Sequence, residues 1–246
     1  IYFAGGEPLI MDEHYALLRL LHDRGQTGIK LSYNTNLSTT RFAGQSIFEL
    51  WAKFENLDIT ASIDAAGARG AYVRSGFNWD TFVRNVQELR TKCPHAKLQF
   101  GITVSALNIL TLTDLFCALE SQCNAVPADF HLHSLQDPAH YRTQVLPAHI
   151  KQNARARIED YITEKSRASD SIDDFVAAAR GITDYMDACD LSGKLPDLRD
   201  ITDQLDSLRS ENVAVSLPEL VPALEGAAWW KKPWLALRQR LSYAMR

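Results

Sequence analysis

The first segment that could do chemistry is Gly5-Gly6-Glu7-Pro8, which follows the apolar residues IYFA. Glycine has no Cβ, so Gly5 and Gly6 would allow a ligand to come close to the backbone. Glu7 adds a carboxylate, and backbone carbonyls together with a carboxylate suit a cationic group such as a primary ammonium. The alternative is that the glycines only end a strand and that Glu7 caps the helix after it.

Polar residues also follow the other predicted strands. They lie at Asn34-Thr35-Asn36, at Ser62 and Asp64, at Ser105 and Asn108, and from His133 to Gln136. In parallel α/β folds, ligands bind at the carboxyl ends of the strands. We therefore expect these side chains to share one edge of the sheet. Polar residues are common in loops, so the prediction depends on the whole set and not on any one member.

Other kinds of site are weaker alternatives. His131 and His133 alternate on a predicted strand and so share a face, as metal ligands can, but no histidine lies at the earlier strand ends. Glu7 and Asp64 are two carboxylates that could act as an acid–base pair. Ser62 lacks the G-x-S-x-G segment that is typical of a nucleophilic serine.

The elements that must position these residues alternate between strand and helix over residues 1–137. The predicted helices are 11–24, 45–54, 79–92 and 111–122, and the predicted strands are 1–3, 29–33, 57–64, 97–105 and 129–135. This alternation predicts parallel strands joined by right-handed crossovers. The expected fold class is therefore α/β, closing as a full or partial parallel (βα) barrel.

The pattern changes after Asp137, and residues 138–246 form a second predicted region that is mainly helical. Its helices are predicted at 147–165, 171–189 and 197–210, with Asp170 or Ser171 capping the second. Residues 227–246 read as a basic amphipathic helix with three tryptophans, which is expected to pack on the protein or on a partner more often than on a membrane. The polar segment from Gln136 to Gln144 is a candidate substrate-facing loop.

The succession of these segments resembles the radical S-adenosylmethionine (radical SAM) enzymes, and most closely their twitch-domain-containing members. FAGGEPLI matches the GGEP segment that holds the methionyl ammonium of the cofactor in that family. Asn34-Thr35-Asn36 resembles the family's TNG segment, with Leu37 in place of the glycine, and Ser62-Ile63-Asp64 resembles its S-x-D segment. PAHIKQ (147–152) and LRSE (208–211) also resemble family segments, so the resemblance covers nearly the whole chain.

The resemblance implies a set of cofactor-binding residues and an activity. Arg74 would meet the carboxylate of S-adenosylmethionine, and Ser105 and Asn108 would lie near its ribose and methionyl group. The complete implied set is Gly5, Gly6, Glu7, Asn36, Ser62, Asp64, Arg74, Ser105 and Asn108. The implied activity is reductive cleavage of S-adenosylmethionine by a 4Fe–4S cluster. The resulting 5′-deoxyadenosyl radical abstracts hydrogen from an organic or peptide substrate, and a flavodoxin or ferredoxin supplies the electron.

The C-x-x-x-C-x-x-C segment that holds the family's cluster is absent from these 246 residues. In the family it lies upstream of GGEP. The expectation is therefore that the chain is an N-terminally truncated part of a longer enzyme, that the cluster ligands lie upstream, and that this part alone is inactive. The alternative is a non-catalytic barrel that binds S-adenosylmethionine or a partner without a cluster.

Composition argues against several other classes of protein. A net charge of −4 and a pI of about 6.0 argue against a broad nucleic-acid-binding surface. No apolar run approaches the about 18 residues that would predict a transmembrane helix. The spacing of Cys93, Cys117, Cys123 and Cys189 fits no zinc or haem pattern, and it indicates reduced thiols in a cytoplasmic protein.

Overall fold

The computed structural model describes residues 1–3, 5–168 and 172–226. The strands are β1 (Tyr2–Phe3), β2 (Leu31–Thr35), β3 (Arg41–Phe42), β4 (Gln45–Ser46), β5 (Leu57–Ser62), β6 (Lys97–Val104) and β7 (Phe130–Ser134). The helices are α1 (Asp12–Asp23), α2 (Ile47–Trp51), α3 (Gly67–Val73), α4 (Trp79–Lys92), α5 (Leu112–Cys123), α6 (Ala148–Ala168), α7 (Asp173–Asp187), α8 (Leu195–Arg209), α9 (Val213–Ser216) and α10 (Val221–Gly226).

The main sheet is parallel, with the strand order β1-β2-β5-β6-β7. This is also the order of the strands along the chain. The predicted parallel pairing is confirmed at every contact, and Ile59, for example, pairs with Tyr33 on one side and Leu98 on the other. The α/β fold class is therefore confirmed. The carboxyl ends of all five strands lie at one edge of the sheet.

The two faces of this sheet differ in burial. On β5 the pattern alternates, with Ile59 buried and its neighbours Asp58 and Thr60 partly accessible. The register continues the accessible face across the sheet, where Thr60 pairs with Asn34 and Gln99. Helices usually cover both faces of a parallel sheet. Here every strand residue on the second face of the main sheet is at least partly accessible, so the described helices leave a mainly polar face open.

Helix α4 illustrates how the sequence builds the covered face. The Asn78 side chain caps the helix by accepting a hydrogen bond from the Thr81 N–H at 2.8 Å. Phe82, Val86 and Leu89 follow at helical spacing and are buried. Each such side chain contributes about 1.5–3 kcal/mol when it leaves water. The amphipathic pattern that predicted residues 79–92 as a helix therefore also fixes which side of the helix meets the sheet.

The helix predicted at 45–54 is shorter than expected. Its first residues belong to β4, which pairs with β3 in an antiparallel hairpin separate from the main sheet. The turn consists of Ala43 and Gly44, both with positive φ, which is the backbone geometry of a two-residue hairpin. Helix α2 then begins at Ile47. The hairpin was missed because its strands are only two residues long.

Helix α3 was also not predicted, because two of its residues are glycines, which disfavour helices. Tertiary packing explains one of them. A Cβ added at Gly70 would lie 2.4 Å from the Ala65 carbonyl oxygen and 2.9 Å from the Phe77 ring. Only glycine therefore fits where α3 meets the loop after β5.

The mainly helical character predicted after Asp137 is confirmed within the described residues, where α6, α7 and α8 lie close to their predicted ranges. Their apolar residues join the core of the sheet region. Phe175 of α7 contacts the rings of Phe116, Phe130 and Tyr161, which belong to α5, β7 and α6. The helical region thus extends the existing core.

Two predictions fall on residues that are not described. The helix caps Asp170 and Ser171 and the tryptophan-rich residues 227–246 lie outside the described ranges. Among the helices that are described, none combines the length and the apolar character needed to cross a membrane.

Candidate functional site

Glu7 joins the loop after β1 to the end of β2. Its Oε1 accepts hydrogen bonds from the Thr35 hydroxyl at 2.8 Å and from the Leu9 N–H at 3.3 Å. Its Oε2 accepts one from the Asn36 N–H at 3.1 Å. The capping role considered for Glu7 is therefore real, since Leu9 lies in the short turn after it. A carboxylate has about four acceptor positions, so Oε2 keeps one for a further donor.

Gly5 and Gly6 lie beside this carboxylate in sequence and are exposed. Their φ angles are +84° and +60°, a region that glycine adopts without strain. No atom lies within 4 Å of the position that a Cβ would take at either residue. The backbone of this loop is therefore open to a ligand on the side where a larger residue would stand.

Leu37 follows Asn36 in a conformation that usually requires glycine. Its φ is +50°, which costs an ordinary residue roughly 1–2 kcal/mol. The turn is held by the Thr35 hydroxyl, which accepts from the Leu37 N–H at 3.1 Å, and by Asn85, whose amide donates to the Leu37 carbonyl at 2.7 Å. The Leu37 side chain is fully buried, and this packing offsets the strain.

Asp64 connects Arg74 to the end of β6. Arg74 Nε donates to Asp64 Oδ2 at 2.6 Å, and the Thr103 N–H donates to Oδ1 at 3.1 Å. The Asp64 side chain is 12% exposed and that of Arg74 is 36% exposed. Among the described residues, the terminal amino groups of Arg74 have no hydrogen-bond acceptor. Arg74 is thus fixed by one nitrogen and retains donors for an anionic group.

Asn108 is 1% exposed, and its side chain holds the backbone at the carboxyl ends of β5 and β6. Its Nδ2 donates to the carbonyls of Asp64 and Thr103 at 2.8 and 2.9 Å, and its Oδ1 accepts from the Ser105 N–H at 2.8 Å. The Ser105 hydroxyl accepts from the Leu107 N–H at 3.3 Å. In this structure Asn108 therefore shapes the loops after β5 and β6.

A cavity of about 220 Å³ lies at this end of the sheet. It is bordered by Asp64 and Ser105 from the predicted set, by Tyr141 of the segment proposed as substrate-facing, and by Thr202 and Arg209 of α8. Its volume is below the roughly 300–1,000 Å³ of typical small-molecule sites. The cavity alone would hold only part of a cofactor the size of a nucleoside joined to an amino acid.

Helix α8 covers this part of the edge through polar contacts with α3. The Tyr72 hydroxyl donates to Asp206 Oδ1 at 2.8 Å, and Asp206 Oδ2 accepts from the Val213 N–H at 2.7 Å. Burial, and then the hydrogen bond to Asp206, raise the pKa of Tyr72, so its hydroxyl remains a donor. The ends of β5 and β6 are therefore partly covered around this cavity, whereas Gly5 and Gly6 after β1 are exposed.

The predicted residues all lie at the carboxyl-terminal edge of the main sheet, in two groups. The first group, after β1 and β2, is Gly5, Gly6, Glu7 and Asn36, and the second, at β5 and β6, is Ser62, Asp64, Arg74, Ser105 and Asn108. A strand spacing of about 4.8 Å places β1 and β6 roughly 14 Å apart. Glu7 and Asp64 have different hydrogen-bond partners, which gives no support to their acting as a pair.

The described residues offer no obvious metal site. His131 and His133 share the open face of the sheet, as predicted, and are exposed. No group of three or more His, Cys, Asp or Glu side chains in the described ranges could hold a metal ion. All four cysteines are free thiols, and burial raises the pKa of Cys93 and of Cys123 to about 11.

Three residues of this edge were not identified as site residues from the sequence. They are Tyr72, Thr103 and Arg209. Tyr72 lies two residues before Arg74, and Arg209 lies in the LRSE segment, so proximity in sequence to these predicted features was a usable signal. Thr103 contributes to Asp64 through its backbone N–H, which any residue except proline provides, and no sequence signal could have revealed it.

Neither protein-family models nor curated proteins nor solved structures give a match to this chain. A proposal for its function consequently depends on the geometry of this sheet edge and on the resemblance of its segments.

Proposed function

We propose that this chain is the cofactor-binding part of a radical SAM enzyme, with S-adenosylmethionine lying across the carboxyl ends of β1, β2, β5 and β6. One observation carries the proposal. The GGEP, TNL and SID segments and the segment TVSALN (103–108), which contains Ser105 and Asn108, lie at the carboxyl ends of four neighbouring parallel strands in the order of the chain. The fold that the proposal requires is a partial (βα) barrel of the radical SAM type, whose inner wall is the open polar face.

The loop after β1 would bind the ammonium, and Arg74 the carboxylate, that the α-carbon of the methionyl group carries. Glu7 would accept a hydrogen bond from the ammonium at the position that its protein partners leave free, with the carbonyls of Gly5 and Gly6 nearby. Arg74 would donate its terminal N–H groups to the carboxylate. The open space beside both glycines and the free donors of Arg74 fit this assignment.

The remaining residues divide into ligand-facing and positioning groups. Asn36 and Ser62 are partly accessible and would offer hydrogen bonds to the cofactor, and Ser105 would do so where it borders the cavity. Asp64 and Asn108 are positioning residues, because Asp64 orients Arg74 and Asn108 holds the backbone of two loops.

The 4Fe–4S cluster that this activity requires does not fit the described residues, since no set of three potential ligands exists among them. We propose that its cysteine ligands lie outside these 246 residues and that this chain alone is inactive. The complete enzyme would act on an organic or peptide substrate in the cytoplasm and would receive electrons from a flavodoxin or ferredoxin. The substrate would approach along the open polar face of the sheet.

The lack of a set of three potential ligands in the described part of the chain also favours a second candidate, a binding module that holds S-adenosylmethionine or a partner without radical chemistry. A form of the protein that includes a C-x-x-x-C-x-x-C segment distinguishes the two. After anaerobic reconstitution with iron and sulfide, and with dithionite, it should release 5′-deoxyadenosine. Cofactor binding without this product would favour the binding module.

Calorimetric titration of S-adenosylmethionine into the chain tests the cofactor site itself. A charge-assisted hydrogen bond contributes about 1.5–3 kcal/mol, so Glu7→Ala and Arg74→Ala should each weaken binding roughly 10- to 100-fold. Glu13→Ala is the matched control, because Glu13 is an exposed carboxylate on the neighbouring helix α1. Circular dichroism of each variant excludes unfolding as the cause.

Two results would count against the assignment. One is an absence of binding by the unmodified chain. The other is equal affinity in the Glu7 and Glu13 variants, since that would leave the Glu7 carboxylate only its contacts with Leu9, Thr35 and Asn36.

A further inference from the structure

A second cavity, of about 610 Å³, lies between the start of α6 and the segment after α7. Its volume is within the range of small-molecule sites. Pro147, Lys151 and Arg155 border one side, and Asp187 and Asp190 border the other. None of the predicted cofactor-binding residues borders it, so it is separate from the edge of the sheet. The PAHIKQ segment, which the proposed function leaves without a role, supplies part of its wall.

Lys151 carries the unsatisfied positive charge of this cavity. Its side chain is long and flexible, yet the residue is only 9% exposed. The ammonium has three N–H donors, and one of them reaches the Cys189 carbonyl at 3.4 Å. The salt bridges of the described residues include none to Lys151. With one carbonyl oxygen as its hydrogen-bond partner, this ammonium would favour an anionic ligand in the cavity.

Arg155, by contrast, is already neutralised. It donates to Asp187 at 2.7 Å and to the Thr183 carbonyl at 3.1 Å, and it lies 3.6 Å from Asp184. It therefore holds α6 to α7 and contributes no free charge to the cavity. This leaves Lys151 as the cation available to a ligand.

Asp190 provides the opposite charge on the same cavity. It is exposed, and its Oδ1 accepts from the Ser192 N–H at 2.8 Å. The salt bridges of the described residues include none to Asp190 either. A cation and an anion that form no salt bridge among the described residues thus border one partly open cavity.

The start of α6 adds a second feature that favours a carboxylate near Lys151. The N–H groups of Ala148 and His149, in the first turn of this 21-residue helix, have no acceptor among the described residues. Unpaired N–H groups at a helix N-terminus carry partial positive charge. Ala148 itself borders the cavity.

We propose that this cavity binds a small zwitterion of the free amino-acid class, with the ligand's carboxylate at Lys151 and its ammonium at Asp190. An anion alone would leave Asp190 facing it, and a cation alone would leave Lys151 unpaired. Only a molecule with both charges matches both side chains. Leu146 and Pro147 leave part of the wall apolar for the ligand's own side chain.

The experiment is a thermal-stability screen of the chain against the twenty common L-amino acids at millimolar concentration, followed by calorimetric titration of those that stabilise it. Binding to the folded state raises the melting temperature. Lys151→Met should weaken binding of a stabilising amino acid roughly 10- to 100-fold. Lys194→Met is the control, because Lys194 is exposed and does not border the cavity.

Asp190→Asn provides an independent test if Lys151→Met fails to fold, since Asp190 is at the surface. This variant should weaken binding of the amino acid but not that of the matching carboxylic acid that lacks the amino group. The proposal is overturned if no amino acid binds, if both variants bind it as the unmodified chain does, or if Asp190→Asn weakens the amino acid and its des-amino analogue equally.

Discussion

His14 is a buried titratable residue beneath β1 and β2. It is 5% exposed, and its Nε2 shares a 2.9 Å hydrogen bond with the Tyr33 hydroxyl. The rings of Phe3, Tyr15 and Tyr33 surround the imidazole. Burial lowers the pKa of His14 from 6.5 to about 4. The folded protein therefore keeps this imidazole neutral where the unfolded chain would protonate it.

This difference predicts a loss of stability in acid. Between pH 7 and pH 4 the unfolded chain binds a proton at His14 and the folded chain does not, so the free energy of unfolding falls by up to roughly 3 kcal/mol. Urea unfolding of His14→Gln should show a smaller decrease over this range. His22→Gln, on a partly exposed histidine of the same helix, should keep the full decrease. An identical pH dependence in both variants would contradict this account of His14.

At the scale of elements, two helical glycines have opposite surroundings. Gly70 in α3 has no room for a Cβ, because backbone and ring atoms lie within 3.0 Å of its position. Gly181 in α7 has no atom within 4 Å of that position. The same substitution at the two sites therefore separates the effect of packing from that of helix propensity.

Gly70→Ala should destabilise the protein by about 1–3 kcal/mol or more, since Phe77 and the backbone at Ala65 must move. Gly181→Ala should stabilise it by about 0.5–1 kcal/mol, because alanine favours the helix and restricts the unfolded chain. Denaturant unfolding measures both changes. Destabilisation by both substitutions would show that α7 does not have the open surroundings described.

The sequence was informative for elements whose pattern is local. Helix α4 was predicted at its observed bounds, and the parallel pairing of β5 with β6 followed from the alternation of elements. The cover that α8 forms over the edge was not predictable. It depends on Tyr72 meeting Asp206, far away in the chain, and neither residue carries a local pattern. The contacts of Glu7 with Thr35 and Asn36 likewise form only once β1 and β2 are adjacent.

At the scale of the whole molecule, the reactivity of the four thiols tests the packing of the sheet region and of the helical region after Asp137. Cys93 and Cys123 are buried in the core, and their raised pKa values reduce thiolate formation further. Cys117 and Cys189 are exposed. We expect two thiols to react with an aromatic disulfide reagent in the native protein and all four in denaturant. Cys117→Ser and Cys189→Ser should each remove one of the accessible thiols, and rapid reaction of a third would contradict the core described.

The order of the strands in the sheet has a consequence for how the chain is made. Each strand of the main sheet after β1 pairs with the strand of this sheet that was synthesised just before it. No later strand of this sheet has to insert between two strands that are already paired. At about 5–20 residues per second, a ribosome would deliver each new strand seconds after its neighbour. The sheet can therefore grow from β1 towards β7 while translation proceeds, and α8 arrives when the strand ends that it partly covers already exist.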